Sequence, residues 1–323
     1  MITSTTTRTD AARTVAARSA ALAAAFAAVA ALTLTGCSGI TGSGAQAAGG
    51  SDLPVGDEVS TTADPELAKL LPAPIVEKGR LDIAVDIPFP PMAMYDDTNR
   101  AVGFDPELAR LIGQKLDIDV SINKQAFDSV IPSLQAGKND LIMSGMNDTP
   151  ERQETVTFVD YTHGGFAILV NAGDTAIATQ TDLCGKTVSV QKATVQGDLL
   201  RGMDCGSDPV VVTELPSDLD AQTALRAGKS DAYVADAVVA EYAAATTDDG
   251  ETFDVVRDPE NPAGFAPVYS GIGILKDDAE LVEVIRRALQ ALIDEGAYQA
   301  VLERNDIGAY AVESAETNQG AGS

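Results

Sequence analysis

The chain has 323 residues and carries 48 acidic against 22 basic side chains, a formal charge of −26. A field of that sign and size argues against nucleic acid and anionic lipid surfaces as partners and fits a protein that stays soluble outside the cell. A single histidine and three cysteines without a CxxC pair offer no convincing metal site, and no cofactor motif is present.

The first element is a leader. Arg8, Arg13 and Arg18 precede an uncharged run from Ala20 to Leu34, too short and too alanine-rich for a permanent membrane span. It ends in Leu34-Thr35-Gly36-Cys37, which resembles the cleavage and lipidation box of bacterial lipoproteins. That resemblance implies a signal peptide over residues 1–36 and a diacylglycerol on the Cys37 thiol, anchoring the chain at the outer face of the cell membrane. Cleavage removes three Arg and one Asp, so the mature charge becomes −28. Residues 37–63 are rich in Gly, Ser, Ala and Thr and have too little apolar surface to pack; they read as a flexible tether.

From Asp64 onward, strands and helices alternate. Leu81–Val85 is a strand candidate, followed by a turn with Pro88, Pro90 and Pro91. Asp105-Pro106-Glu107 has the form of a capped helix start, with Leu108, Leu111, Ile112 and Leu116 at helical spacing behind it. Val120–Ile122 is a strand, Asp128 caps a helix that stops at Gly137, and Asp140–Met143 enters another strand. Thr149-Pro150-Glu151 is a second helix start, and Thr155–Phe158 and Phe166–Val170 are strand-like. The second half reads the same way, with strands at Thr187–Val190, Val210–Thr213, Ala232–Val234 and Phe253–Val256. Helical segments fall near Gly197–Met203, Leu219–Ala227 and Asp236–Ala245. Ile272–Leu275 precedes an amphipathic helix bearing Leu281, Ile285, Leu289, Leu292 and Ile293, then a short helix over Ala297–Arg304. This order predicts an α/β architecture, about 250 residues long, as one large domain or two lobes. Ligands in such folds lie beyond the carboxyl ends of strands, which directs attention to the turns after Val85, Met143, Val190 and Val234. With Cys37 assigned to lipid, Cys184 and Cys205 are expected to pair as a disulfide in an oxidising compartment.

Those turns carry an ordered set of motifs. Gly103-Phe104-Asp105-Pro106-Glu107-Leu108-Ala109, Phe127-Asp128-Ser129-Val130, Gly145-Met146, Thr149-Pro150-Glu151-Arg152, Phe158-Val159-Asp160-Tyr161 and Gly228-Lys229-Ser230-Asp231-Ala232-Tyr233 resemble the polar amino-acid family of bacterial solute-binding proteins that serve ABC importers. The similarity covers roughly Ile75 to Tyr298. It implies a two-lobed periplasmic-binding-protein-like fold (type II) with two crossover segments, expected near Val170–Ala172 and Val268–Ile272. The expected division is lobe 1 over 64–170, lobe 2 over 171–268, a return to lobe 1 over 269–316, and a disordered tail over 317–323.

The resemblance also implies roles. Arg152 corresponds to the arginine that forks onto the ligand's α-carboxylate, and Asp236 to the acid that receives its α-ammonium. The bland alternatives are a surface ion pair of Arg152 with Glu151 or Glu154 and a helix cap for Asp236. Gly145 and Asn147 match positions offering a backbone carbonyl and a polar side chain to the amine; Thr194 matches a hydroxyl that helps hold the carboxylate. Two departures stand out. Ala193 replaces a usual glycine, and Met92 stands where an aromatic lid is usual, with Phe127 available to supply that face. Tyr161 and His163 are candidates for the cleft entrance, the lone His being more readily a surface or satisfied residue, and no nucleophile–base pair is convincingly spaced. The implied partners are an amino-acid-like ligand, a transmembrane ABC permease with its ATPase, and the membrane through Cys37, with the protein acting as a monomer. Competing readings are a dehydratase-like enzyme on the same scaffold and a ligand sensor or adhesin.

Overall fold

The computed structural model describes residues 58–322, so the leader, Cys37 and nearly all of the tether lie outside the described residues. The expected tether does not extend to residue 63: Val59 packs on the first-lobe core, Glu58 pairs with Arg100, and the Thr61 N–H donates to Gln114 Oε1 at 3.1 Å. Asp64 then accepts the N–H groups of Glu66 and Leu67 at 2.9 and 3.2 Å and starts α1 (Pro65–Ala68). After α2 (Ala73–Lys78) come β1 (Arg80–Val85) and a small hairpin, β2 (Met94–Tyr95) with β3 (Ala101–Val102). There follow α3 (Phe104–Lys115), β4 (Asp119–Lys124), α4 (Val130–Gln135) and β5 (Leu141–Ile142). A 16-residue strand, β6 (Val156–Asn171), leads to β7 (Thr187–Gln191), α5 (Val195–Arg201), β8 (Val211–Leu215), α6 (Asp218–Arg226), β9 (Ala232–Asp236) and α7 (Ala237–Thr246). The chain closes with β10 (Phe253–Val256), β11 (Phe265–Leu275), α8 (Ala279–Asp294) and α9 (Ala297–Arg304). Among the described residues no helix is long and apolar enough to cross a membrane.

The strands form a sheet in the order β4-β1-β5-β11-β6-β9-β7-β8, with β10 on β6. β1, β4 and β5 run parallel on one side, as do β7, β8 and β9 on the other. The long strands β6 and β11 join these halves. Val156–Asp160 pairs with Gly271–Leu275 in the first lobe, whereas Phe166–Leu169 pairs with β9 in the second. The first crossover therefore lies at Thr162–Phe166, not near Val170–Ala172, because Phe166 already opposes Asp236. The return crossing runs through Val268–Gly271, with a register shift between Ser270 and Gly271. Close backbone approach explains the glycines there: a Cβ on Gly165 would lie 2.4 Å from the Phe265 carbonyl oxygen.

The helices cover the sheet through the stripes their periodicity announced. Leu108, Leu111, Ile112 and Leu116 of the α3 region are at most 1% exposed, as are Leu281, Ile285, Leu289 and Leu292 of α8. Each such side chain contributes about 2 kcal/mol of burial. The second lobe packs Phe166, Ile168, Val188, Val190, Leu200 and Val234 into its own cluster. It is stapled by the Cys184–Cys205 disulfide, with Cα atoms 5.4 Å apart.

Two local expectations are corrected. Asp105 does not cap α3: the cap position is Gly103 at φ 103°, where a Cβ would meet the Pro91 carbonyl oxygen at 2.7 Å, and Asp105 sits buried inside the first turn. The chain also does not end in a disordered tail from residue 317. Thr317 bridges Val159, the Asn318 side chain accepts the Phe158 N–H at 2.9 Å, and the Gln319 and Gly320 N–H groups donate to Asp160 and Asp148.

Candidate functional site

The carboxyl ends of β1, β5, β7 and β9 converge on one cleft between the lobes. β1 delivers Asp86 and Phe89; the segment after β5 delivers Gly145, Asn147 and Arg152. From the second lobe come Gln191, Thr194 and Gln196 after β7, and Asp236 at the end of β9. Side chains meet across the gap. Gln191 Nε2 donates to Asp86 Oδ2 at 2.6 Å, Asn147 Nδ2 to Asp236 Oδ1 at 3.0 Å, and Arg152 Nη2 to the Ala193 carbonyl at 3.0 Å. Lys192 and Asp128 form an ion pair at 2.9 Å. The lobes are thus closed on each other around two adjoining pockets, about 380 and 320 Å³ when the open space at their mouths is included, which share Gly145, Asn147 and Asp236.

Arg152 stands in a single turn, Arg152–Glu154, where the sequence pattern predicts a helix start; Thr149 Oγ1 accepts its N–H at 3.3 Å. Its guanidinium donates to the Asn147 carbonyl at 2.8 Å and lies 5.5 Å from the centre of the Phe127 ring. Burial lowers its pKa to about 10, and the Asp236 carboxylate is the largest influence opposing that fall. Asp236 makes no helix-capping hydrogen bond. Burial raises its pKa to about 6, opposed by the Asn147 hydrogen bond, the Arg152 charge and a hydrogen bond from Gln196 Nε2 at 3.2 Å. A half-buried cation from one lobe and a half-buried carboxylate from the other therefore face the same cleft, near enough that each favours the other's charged form.

Around them, Asn147 is 3% exposed and also donates to Ser270 Oγ at 3.0 Å. Gly145 has φ 54°, and a Cβ there would lie 2.8 Å from the Phe89 ring, so glycine alone fits. Its N–H is held from behind by Asp105 Oδ2 at 3.0 Å and Tyr161 Oη at 3.1 Å. Thr194 lines the 320 Å³ cavity, with its hydroxyl donating to the Gln191 carbonyl at 2.7 Å.

The structure moves one residue, Tyr161, from its expected position. Tyr161 is not at the cleft entrance: it is fully buried edge-on to Phe104, behind Gly145, because its place in β6 points it into the first-lobe core. Its neighbour His163 stacks on Tyr269 with ring centres 4.2 Å apart. Met92 lies in the wall of the 380 Å³ cavity, on the hinge side, while the aromatic ring facing the 320 Å³ cavity after β1 is Phe89. Phe127 lines that same cavity.

Sequence reasoning did not single out Phe89, Asp86, Gln191, Gln196 or Asp218. Asp218 is 1% exposed, accepts from Tyr233 Oη and from Gln222 Nε2 at 2.6 Å, and is raised by burial to about 7. Asp86 is likewise raised by burial. Gln196 is 2% exposed, and its Oε1 has no hydrogen-bond partner among the described residues. The available signal was position: Asp86, Phe89, Gln191 and Gln196 all follow strand ends. Among the described residues no cluster of His, Cys, Asp or Glu is placed to hold a metal ion.

Two α/β lobes joined by paired crossing strands, with opposed charges half-buried in the gap, define a two-lobed ligand-binding protein. Residues 81–305 match the model of the bacterial extracellular solute-binding proteins, family 3, and the chain belongs to that family. It is 30% identical over 247 residues to the arginine-binding protein ArgT of Corynebacterium glutamicum, covering 74% of this chain and 78% of that one. It is 28% identical over 226 residues to the ABC transporter arginine-binding protein 1 of Escherichia coli, covering 70% and 90%. The holo form of ArgBP from T. maritima superposes with a TM-score of 0.63 at 30% identity, covering 72% of this chain and 99% of that one. The chain is accordingly an extracytoplasmic solute-binding component of amino-acid transport, a binding protein and not an enzyme.

Proposed function

We propose that this protein is the lipid-anchored receptor of an ABC importer and that it captures an L-amino acid with a cationic side chain, arginine being the foremost candidate. The observation that carries the reading is the juxtaposition of Arg152 and Asp236, half-buried and of opposite charge, facing one cleft from opposite lobes. Arg152 receives the α-carboxylate, with Thr194 beside it; Asp236 and Asn147 receive the α-ammonium, with Gly145 completing the wall. Phe89 and Phe127 flank the side chain. Asp86 and Asp218 add two carboxylates around the same space, and burial disfavours their charge in both. A guest bringing a second positive charge satisfies them; a neutral or acidic side chain does not. The arginine-binding relatives point to the same class.

Closure explains tight binding of so polar a guest, since its charges leave water only as fixed partners meet them. Cys37 supplies the anchor, and the stretch between it and the fold, which begins at residue 58, keeps the receptor near its permease at high effective concentration. Intact-mass analysis of membrane-extracted protein tests the anchor. A diacylglycerol adduct on a chain beginning at Cys37 is expected, and Cys37→Ser should release the protein to the medium. An unmodified N-terminus upstream of residue 37 would refute it. Competition among arginine, lysine, glutamine and glutamate tests the ligand class: the two cationic amino acids should displace labelled arginine, and stronger displacement by glutamate would refute it.

A further inference from the structure

The family domain ends at residue 305, yet the chain continues in ordered form to residue 320. This last segment runs along the two strands that form the hinge. Ala311 and Thr317 bridge Thr162 and Val159 of β6. The Val312 N–H donates to Tyr298 Oη at 2.9 Å and the Ala315 N–H to Gln290 Oε1 at 3.0 Å, tying the segment to α9 and α8. The Gly320 N–H donates at 2.8 Å to Asp148, the neighbour of Asn147. These anchors belong to the first lobe, except Thr162, which opens the crossover.

Tyr310 does something different. Its ring packs on Gly164 in the crossover, where a Cβ would lie 2.5 Å from Tyr310 Cδ1. Its hydroxyl donates at 2.9 Å to Glu241 on α7 of the second lobe, and Glu241 is in turn ion-paired with Arg257. Tyr310 and Ile307 also line the 380 Å³ cavity together with Asp236, Asn147 and Val238. The segment is thus fixed to one lobe and the hinge, grips the other lobe, and walls the pocket that Asp236 and Asn147 also line.

We propose that residues 307–320 form a hinge strap and that Tyr310 is its latch, a positioning residue that holds the lobes closed and slows ligand escape. Rotation of the second lobe about the Thr162–Phe166 and Val268–Gly271 crossings carries α7 away from a strap fixed to the first lobe. The Tyr310–Glu241 bond then exists in the closed form and is lost on opening, so it stabilises closure and not encounter.

The ligand arm of the test rests on the function proposed above; the other arm does not. Tyr310→Phe keeps the ring and removes the donor. In stopped-flow measurements with L-arginine its dissociation rate should rise on the order of tenfold, the value of one hydrogen bond to a charged acceptor, with association unchanged. In protein without added ligand, amide hydrogen exchange at residues 160–166 and 268–271 should be faster in the variant than in the parent. Parent-like dissociation of arginine overturns the latch. If the parent itself does not bind arginine, the functional reading fails, and hydrogen exchange alone decides: faster exchange upholds the latch and unchanged exchange overturns it.

Discussion

At the scale of single residues, the site is governed by what burial does to charge. The Asp236 carboxyl is raised to about 6 by burial, and an ammonium bound there requires it ionised. Ligand binding then lowers that pKa and releases a proton. The affinity is full above about pH 7 and weakens as the pH falls through about 6, on the order of tenfold by pH 5. Calorimetry at pH 6 in two buffers of different ionisation heat measures the released proton; equal binding heats in both would contradict the assignment. Ala193 gives a second residue-scale expectation. It adopts φ 64°, a left-handed conformation that disfavours a Cβ, while its carbonyl receives Arg152. Ala193→Gly relieves that strain but loosens the unfolded chain, for a net stabilisation of up to about 1 kcal/mol in chemical denaturation.

At the scale of elements, amphipathic helices and isolated strands were legible, and composite elements were not. The α8 stripe and the limits of α9 and β10 follow from spacing and flanking residues alone. In sequence β6 reads as two strands because Thr162, His163, Gly164 and Gly165 interrupt the apolar pattern where the strand changes lobes. Only the second half of β11 reads as a strand, since Pro267 lies beside a register shift. The motif at Asp105 was legible as a pattern but misleading as a cap, for its carboxylate serves Gly145 across the lobe, a contact 40 residues away in sequence. The charge pair was visible as motifs. The flanking Asp86, Gln191 and Asp218 were not, because a lone polar residue after a strand carries no signal until tertiary contacts bury it. The Cys184–Cys205 bridge, by contrast, needed only counting. It closes a loop of separation 21, so Cys184→Ala with Cys205→Ala should cost about 3 kcal/mol of stability. Unchanged denaturant midpoints in that pair would show that the bridge carries no such share.

At the scale of the molecule, the function proposed above joins three roles on one chain. Acidic charge disperses the receptor, the stretch between Cys37 and the fold sets its reach from the membrane, and the two lobes move about a hinge made of two strands, β6 and β11. Closure about a ligand predicts a smaller radius of gyration in small-angle scattering when L-arginine is added, and Arg152→Ala should remain at the ligand-free value. The central claim is that a zwitterion is clamped between Arg152 and Asp236. Its most direct test is titration calorimetry of the mature protein against the twenty amino acids, repeated with Arg152→Ala. We predict binding led by L-arginine, and a loss in the variant of about 3–5 kcal/mol, two to three orders of magnitude or more in Kd. An amino acid bound with equal affinity by parent and variant would contradict it.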